Sequence, residues 1–195
     1  MNPLLGILSI SATATLLGAC NAPSEPSAAL ADKTSYVMDP HSYARPEEAV
    51  ATHLDLDIHV DMRQQRITGT ATYQLRRQGG DSVVFDTDGL TIDKVTLGDG
   101  APASFTLGAK DPILGRALRV ALPEGADKVS ITYATSPDAK ALQWLSPMQT
   151  GDKQFPFLFT QGEAILTRSW IPIQDSPGIR LTYHARVTVP PELMA

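Results

Sequence analysis

A run of ten residues in which every second side chain is apolar, His53-Leu54-Asp55-Leu56-Asp57-Ile58-His59-Val60-Asp61-Met62, admits one regular conformation. Period-two alternation places Leu54, Leu56, Ile58, Val60 and Met62 on one side of an extended chain, whereas a helix would scatter them around its circumference. The segment is therefore a strand with one buried face. Its other face, His53, Asp55, Asp57, His59 and Asp61, alternates imidazole with carboxylate as some metal sites do. Same-side neighbours on a strand stand ~6.5–7 Å apart, however, so this face reads as solvated, with weak His–Asp pairing in water. Arg63 to Arg66 forms a turn, and Ile67, Gly69, Ala71, Tyr73 and Leu75 resume the alternation as an antiparallel partner. Gly69, with no side chain to pack, marks a bulge or a close approach of backbone.

After the polar turn Arg76 to Asp81, short apolar runs follow at Val83 to Phe85, Leu90 to Leu97, Ala103 to Leu107, Ala117 to Leu122 and Val129 to Tyr133. Gly98-Asp99-Gly100, Lys110-Asp111-Pro112 and Pro123-Glu124-Gly125 separate them, all turn-forming sets. Short strands at such spacing, with no convincing helical stretch, predict a mostly β body over residues 41–195: an antiparallel, saddle-like β-sandwich or open twisted sheet. Ala141 to Gln154, broken by Pro147 and Gly151, reads as an excursion over the sheet edge with Trp144 as a lid on the core. Strands are expected at Phe155 to Thr160 and Ile165 to Trp170. A loop from Ile171 to Gly178 leads to a last strand, Ile179 to Val189, which Pro190-Pro191 ends.

The N-terminus follows other rules. An apolar segment from Pro3 to Leu17 closes on Leu17-Gly18-Ala19-Cys20, the pattern of a bacterial lipobox, and residues 1–20 are read as a lipoprotein signal segment. Cys20 is the single cysteine, so no internal disulfide exists and lipidation accounts for the thiol. By likeness to bacterial lipoproteins, Asn21 after the cysteine directs the anchor to the outer membrane, with the body facing the periplasm. Residues 21–40, rich in Pro, Ser and Ala, bury too little apolar surface to offset chain entropy and read as a flexible tether. A net charge of -5 with Lys and Arg dispersed supplies no basic stripe, which argues against a nucleic-acid partner.

Chemistry-bearing motifs are few. The sequence contains no G-x-S-x-G elbow, no phosphate-binding glycine loop and no pair of histidines at helical i, i+4 spacing, so no catalytic residue and no metal site is assigned within the chain. Glu163 stands out, because it lies between the apolar runs Phe157-Leu158-Phe159 and Ala164-Ile165-Leu166. A carboxylate so placed is expected to be paired, protonated or awaiting a cation. On the residues alone it pairs with Arg168 or Arg180 as a salt bridge at the core edge.

Ala141-Leu142-Gln143-Trp144-Leu145, Pro147, Gln149 and Thr150 are followed by Phe159, Gln161 and Glu163, then by Arg168, Pro172 and Gln174-Asp175-Ser176-Pro177. The series continues through Leu181-Thr182-Tyr183, Val187-Thr188-Val189-Pro190 and Glu192-Leu193, with weaker upstream echoes at Phe85-Asp86-Thr87, Leu90-Thr91-Ile92 and Lys94-Val95. In this order the residues resemble the zinc aminopeptidases that include aminopeptidase N and, more closely, leukotriene hydrolase. The likeness covers most of the chain after about Pro40. It implies an N-terminal β saddle forming one wall of a substrate cleft, with zinc and its water held by a following domain. It also implies that Gln161 and Glu163 are wall residues that bind peptide N-termini, with Glu163 receiving the free α-amine. Leukotriene hydrolase has Gln at that place, and Glu here leans toward aminopeptidase chemistry, since an ammonium is held better by a carboxylate than by an amide.

Neither H-E-x-x-H nor G-x-M-E-N occurs, and the chain is expected to stop before both, as an inactive fragment without its zinc. The competing expectation is a standalone envelope β-sandwich lipoprotein that binds peptides or a protein partner. The anchor is testable in either case. Expressed in a Gram-negative host, the chain should be processed at Cys20 and sediment with membranes. Cys20→Ser should release it or leave it unprocessed, and unchanged processing and partition would refute the lipobox.

Overall fold

The computed structural model describes residues 36–195, so the signal segment, Cys20 and all but the end of the tether lie outside the described residues. β1 (Ala49–Asp61) carries the alternation: Leu54, Leu56, Ile58 and Val60 are all buried, while Asp57 and His59 are exposed. Asp61 makes the turn, its Oδ1 accepting the N–H groups of Arg63 and Gln64 at 2.9 Å each. β2 (Arg66–Arg77) returns antiparallel, pairing Gly69 with Ile58. A Cβ at Gly69 would collide with the Asp57 carbonyl and the Ile58 side chain, so the glycine marks a close approach.

The apolar runs that follow are β3 (Ser82–Thr87), β4 (Thr91–Leu97), β5 (Phe105–Leu107), β6 (Arg116–Ala121) and β7 (Lys128–Ala134). β8 (Leu142–Leu145) and β9 (Phe157–Thr160) form a hairpin, and β10 (Thr182–Thr188) comes last. Three sheets result, with strand orders β10-β1-β2-β7-β4, β3-β6-β5 and β8-β9. All pairings are antiparallel except β1 with β10, which is parallel, so the largest sheet is mixed and open at both edges.

The core lies between the two larger sheets. Leu54, Ala71, Tyr73, Val129 and Ile131 from one join Val83, Phe85, Leu118 and Val120 from the other, and the Tyr73 and Phe85 rings meet with centroids 4.7 Å apart. Each such aliphatic or aromatic side chain contributes about 1.5–3 kcal/mol on burial, so this seam dominates the stability of the body. Polar braces cross it. The Tyr73 hydroxyl donates to the Pro172 carbonyl at 2.6 Å. Gln174, 2% exposed, accepts the Ala51 N–H through Oε1 at 2.9 Å and donates through Nε2 to the carbonyls of Ala49 and Val84 at 3.0 and 3.3 Å. Its amide thereby joins β1, beside the register shift between Ala51 and His53, to β3.

Three expectations need correction. The excursion through Trp144 is a strand, because the chain doubles back beyond a 3₁₀ turn at Pro147–Gln149 and β8 pairs with β9 over Leu142 to Thr160. Trp144 nonetheless packs half-buried against the core. The segment Ile165 to Trp170 is not a strand but a turn leading into a 3₁₀ helix, Thr167–Ser169. The last strand is shorter than Ile179 to Val189, and none of its residues is buried. β10 is an edge strand, and no element among the described residues covers its apolar side.

Gln174→Ala should lower stability by about 2–4 kcal/mol, because it strands the buried Ala51 N–H, at roughly 1–3 kcal/mol, and takes one donor from each of two carbonyls at a smaller cost. A thermal melt should show a fall of about 5–15 °C.

Candidate substrate-wall site

Gln161 and Glu163 sit on the turn that leaves β9. The Gln161 N–H donates to the Ala141 carbonyl at 2.9 Å, which ties the turn to the residue preceding β8. The Gln161 side chain then folds over its own turn, its Oε1 accepting the Glu163 N–H at 2.9 Å. A backbone N–H can be met only by the amide oxygen, so the Gln161 NH₂ group is left to face elsewhere. Leu166 closes the turn by donating to the Gly162 carbonyl at 2.8 Å, and a Cβ on Gly162 would strike Thr167 Oγ1. The Glu163–Ala164 peptide is cis.

Glu163 is exposed and enters none of the ion pairs among the described residues. Two sequence expectations are thus corrected: the flanking apolar residues do not desolvate its carboxylate, and neither Arg168 nor Arg180 neutralises it. Ala164 is exposed and Ile165 only half-buried, because the turn projects from the body.

Arg168 is instead buried, with a side chain 1% exposed and its guanidinium fully engaged. Nε meets Asp175 Oδ2 at 3.1 Å and Nη1 lies 3.6 Å from Asp86 Oδ1. Nη1 also donates to the Leu114 carbonyl at 3.1 Å, and Nη2 donates to the carbonyls of His41 at 2.8 Å and Asp175 at 3.1 Å. Asp86 is itself fully buried. It accepts the Ser42 hydroxyl at 2.5 Å, the Tyr43 N–H at 2.7 Å and the Asp175 N–H at 2.9 Å. Burial holds its carboxyl above the usual value, against the pull of Ser42, Tyr43, Arg168 and Asp175.

Nothing in the local pattern distinguished Arg168 from a solvated arginine. The available signal was Asp86, an acidic residue inside the apolar run of β3, which demands a buried partner. Ser169, 1% exposed, was equally silent: its hydroxyl donates to the Leu166 carbonyl at 2.7 Å and accepts the Ala141 N–H at 3.0 Å.

A second feature lies beside the turn. An apolar groove of about 1040 Å³ runs along the inner side of β1, β10 and β9, lined by residues such as Ile58, Phe157, Phe159, Tyr183 and Val187. Neither Gln161 nor Glu163 lines it, and its charged lining residues are Asp152 and Glu192. On the opposite side of β1, His53 Nδ1 meets Thr182 Oγ1 at 2.7 Å, and Asp55 lies 3.5 Å from His53 and 3.9 Å from His184. Among the described residues no group of three or more His, Cys, Asp or Glu side chains is arranged to hold a metal ion, so these residues do not fit a zinc site.

The described residues thus form an open, mixed β domain that presents a polar turn beside an apolar groove. The chain belongs to the Peptidase M1 N-terminal domain family, whose model matches residues 50–195. It is 39% identical over 166 residues to leukotriene A-4 hydrolase of Xenopus laevis, covering 82% of this chain and 27% of that protein. Over 165 residues it is 32% identical to leucine aminopeptidase 2 of Sclerotinia sclerotiorum, covering 80% and 27%. The chain therefore spans about a quarter of the length of these relatives. The structure of leukotriene A4 hydrolase from Saccharomyces cerevisiae superposes with a TM-score of 0.74 at 28% identity, over 81% of this chain and 26% of that one. An M1 zinc metallopeptidase from Deinococcus radiodurans, at 20% identity and a TM-score of 0.56 over 73% of this chain and 33% of that one, shares the fold.

The donor geometry makes a direct prediction. The 195-residue chain, purified without a metal-binding tag, should carry no stoichiometric zinc by elemental analysis. One tightly held zinc per chain would contradict it and return attention to the His53 and His59 face of β1.

Proposed function

We propose that this domain forms one wall of the substrate cleft in a zinc aminopeptidase, and that Glu163 receives the α-ammonium of a peptide N-terminus with Gln161 beside it. The observation that carries this reading is the exposed Glu163 carboxylate, without an ion-pair partner among the described residues, on a turn held by backbone bonds in a domain of this family. An ammonium offers three donors to such an acceptor, and a charge-assisted bond is about twice as strong as a neutral one. Gln161, whose amide oxygen is already occupied by the Glu163 N–H, has its NH₂ left to donate to a substrate carbonyl. A zinc ion bound by other parts of that enzyme would supply polarisation of the scissile carbonyl and activation of water.

The groove suits a different task. An ammonium needs convergent polar groups, whereas aliphatic and aromatic side chains dominate this lining, so the groove serves for packing and not for reading the amine. The same reading holds the domain at the cell envelope through a lipid on Cys20.

In the enzyme that carries this domain, Glu163→Gln keeps size and shape while removing the charge. Removing one partner of a desolvated charge pair costs ~2–5 kcal/mol, a fall in kcat/KM of some tens- to thousands-fold at ~1.4 kcal/mol per tenfold. The fall should appear for peptides with a free N-terminus while the melting temperature stays near that of the parent. Unchanged kcat/KM would eliminate the amine-anchor role.

A further inference from the structure

Gln161 and Glu163 lie on a turn whose own hydrogen bonds are short-range, so something outside it must fix where it stands. The Gln161 N–H is anchored on the carbonyl of Ala141, and the N–H of the same Ala141 is held by Ser169 Oγ at 3.0 Å. The Ser169 hydroxyl donates in turn to the Leu166 carbonyl at 2.7 Å, at the far end of the turn. One buried hydroxyl therefore joins the start of the β8–β9 hairpin to the exit of the turn, acting as acceptor on one side and donor on the other. Apart from Ser169, the closing bonds are backbone contacts, Leu166 to Gly162 and Ser169 to Leu166. The preceding residue fixes the joint to the body, since Arg168 binds carbonyls at His41, Leu114 and Asp175 and carboxylates at Asp86 and Asp175.

We infer that Ser169 is a positioning residue: its hydroxyl, seated by the Arg168 clamp, sets the place of Gln161 and Glu163 in the cleft wall. The inference rests on the amine-anchor reading of Glu163. A serine hydroxyl suits the role because it can donate and accept at once within a space closed to water. Alanine keeps the backbone and the 3₁₀ turn but abolishes both bonds, leaving the buried Ala141 N–H without an acceptor.

The test has two arms. In the 195-residue chain, amide hydrogen exchange compares the parent with Ser169→Ala. The amides of Gln161 and Leu166, whose own acceptors are untouched, should exchange about tenfold to a hundredfold faster, the scale of one lost buried bond. Those of Val129 and Ile131 in β7 should keep their parent rates. Unchanged exchange at Gln161 and Leu166, or an equal rise at all four amides, would overturn the inference. Arg168→Lys, which keeps the charge but loses the planar fork, should loosen the same two amides.

In the enzyme that carries the domain, Ser169→Ala should raise KM for a peptide with a free N-terminus several-fold more than it lowers kcat, and leave an N-acetylated peptide unaffected. If Glu163→Gln shows its expected loss while Ser169→Ala does not shift KM, the positioning role is wrong. If Glu163→Gln itself is silent, the reading of Glu163 fails, and the exchange arm still decides whether Ser169 holds the turn.

Discussion

The buried guanidinium of Arg168 is the constraint on which the placement of the irregular segments depends. Two carboxylates and three carbonyls surround it, and they come from Asp86 in β3, the loop before β6, the entry strap near His41 and the loop at Asp175. A charge taken out of water loses several kcal/mol of hydration, and only a full set of partners restores it. Removing one partner of such a set typically destabilises by about 3–5 kcal/mol. The network is therefore weak as a source of net stability, and what it does is tie four segments distant in sequence to one guanidinium.

This explains how an open β domain can hold a polar turn in place at its margin. The apolar seam between the sheets fixes the sheets themselves, but hydrophobic contact is non-directional and leaves loops free to settle in several ways. Arg168, Gln174 and Ser169 supply direction. Each is buried and uses its polar atoms on main-chain groups, so each specifies where backbone lies and not merely what packs together. The exposed carboxylate of Glu163 stands at the end of this chain of constraints, with its neighbour Gln161 already oriented.

The groove and β10 show the opposite condition. Tyr183 is 72% exposed on an edge strand, and Phe157 and Phe159 are about half exposed on the neighbouring hairpin. Apolar surface arranged along one concavity is the mark of a packing surface, and it lies beside the polar turn without including it.

Periodicity along the chain was enough for the β character of the body and for the antiparallel pairing of β1 with β2, and it left Gly69 as either a bulge or a close approach of backbone, which its contact with Asp57 decides. The first two follow from side-chain periodicity and turn chemistry acting between near neighbours. The sequence also carried the family, through ordered residues from Ala141 to Leu193, and with it the interest in Gln161 and Glu163. The three-dimensional fold was needed to show that Glu163 has no ion-pair partner among the described residues, that Arg168 belongs to Asp86 and Asp175, and that Ile165 to Trp170 turns instead of extending. The Arg168–His41 contact spans 127 positions, and no local pattern encodes which distant carbonyl will meet a guanidinium. Nor does alternation reveal whether a strand's apolar face is covered: β1 and β10 share the same period, yet β1 is buried between neighbours while β10 lies at an edge.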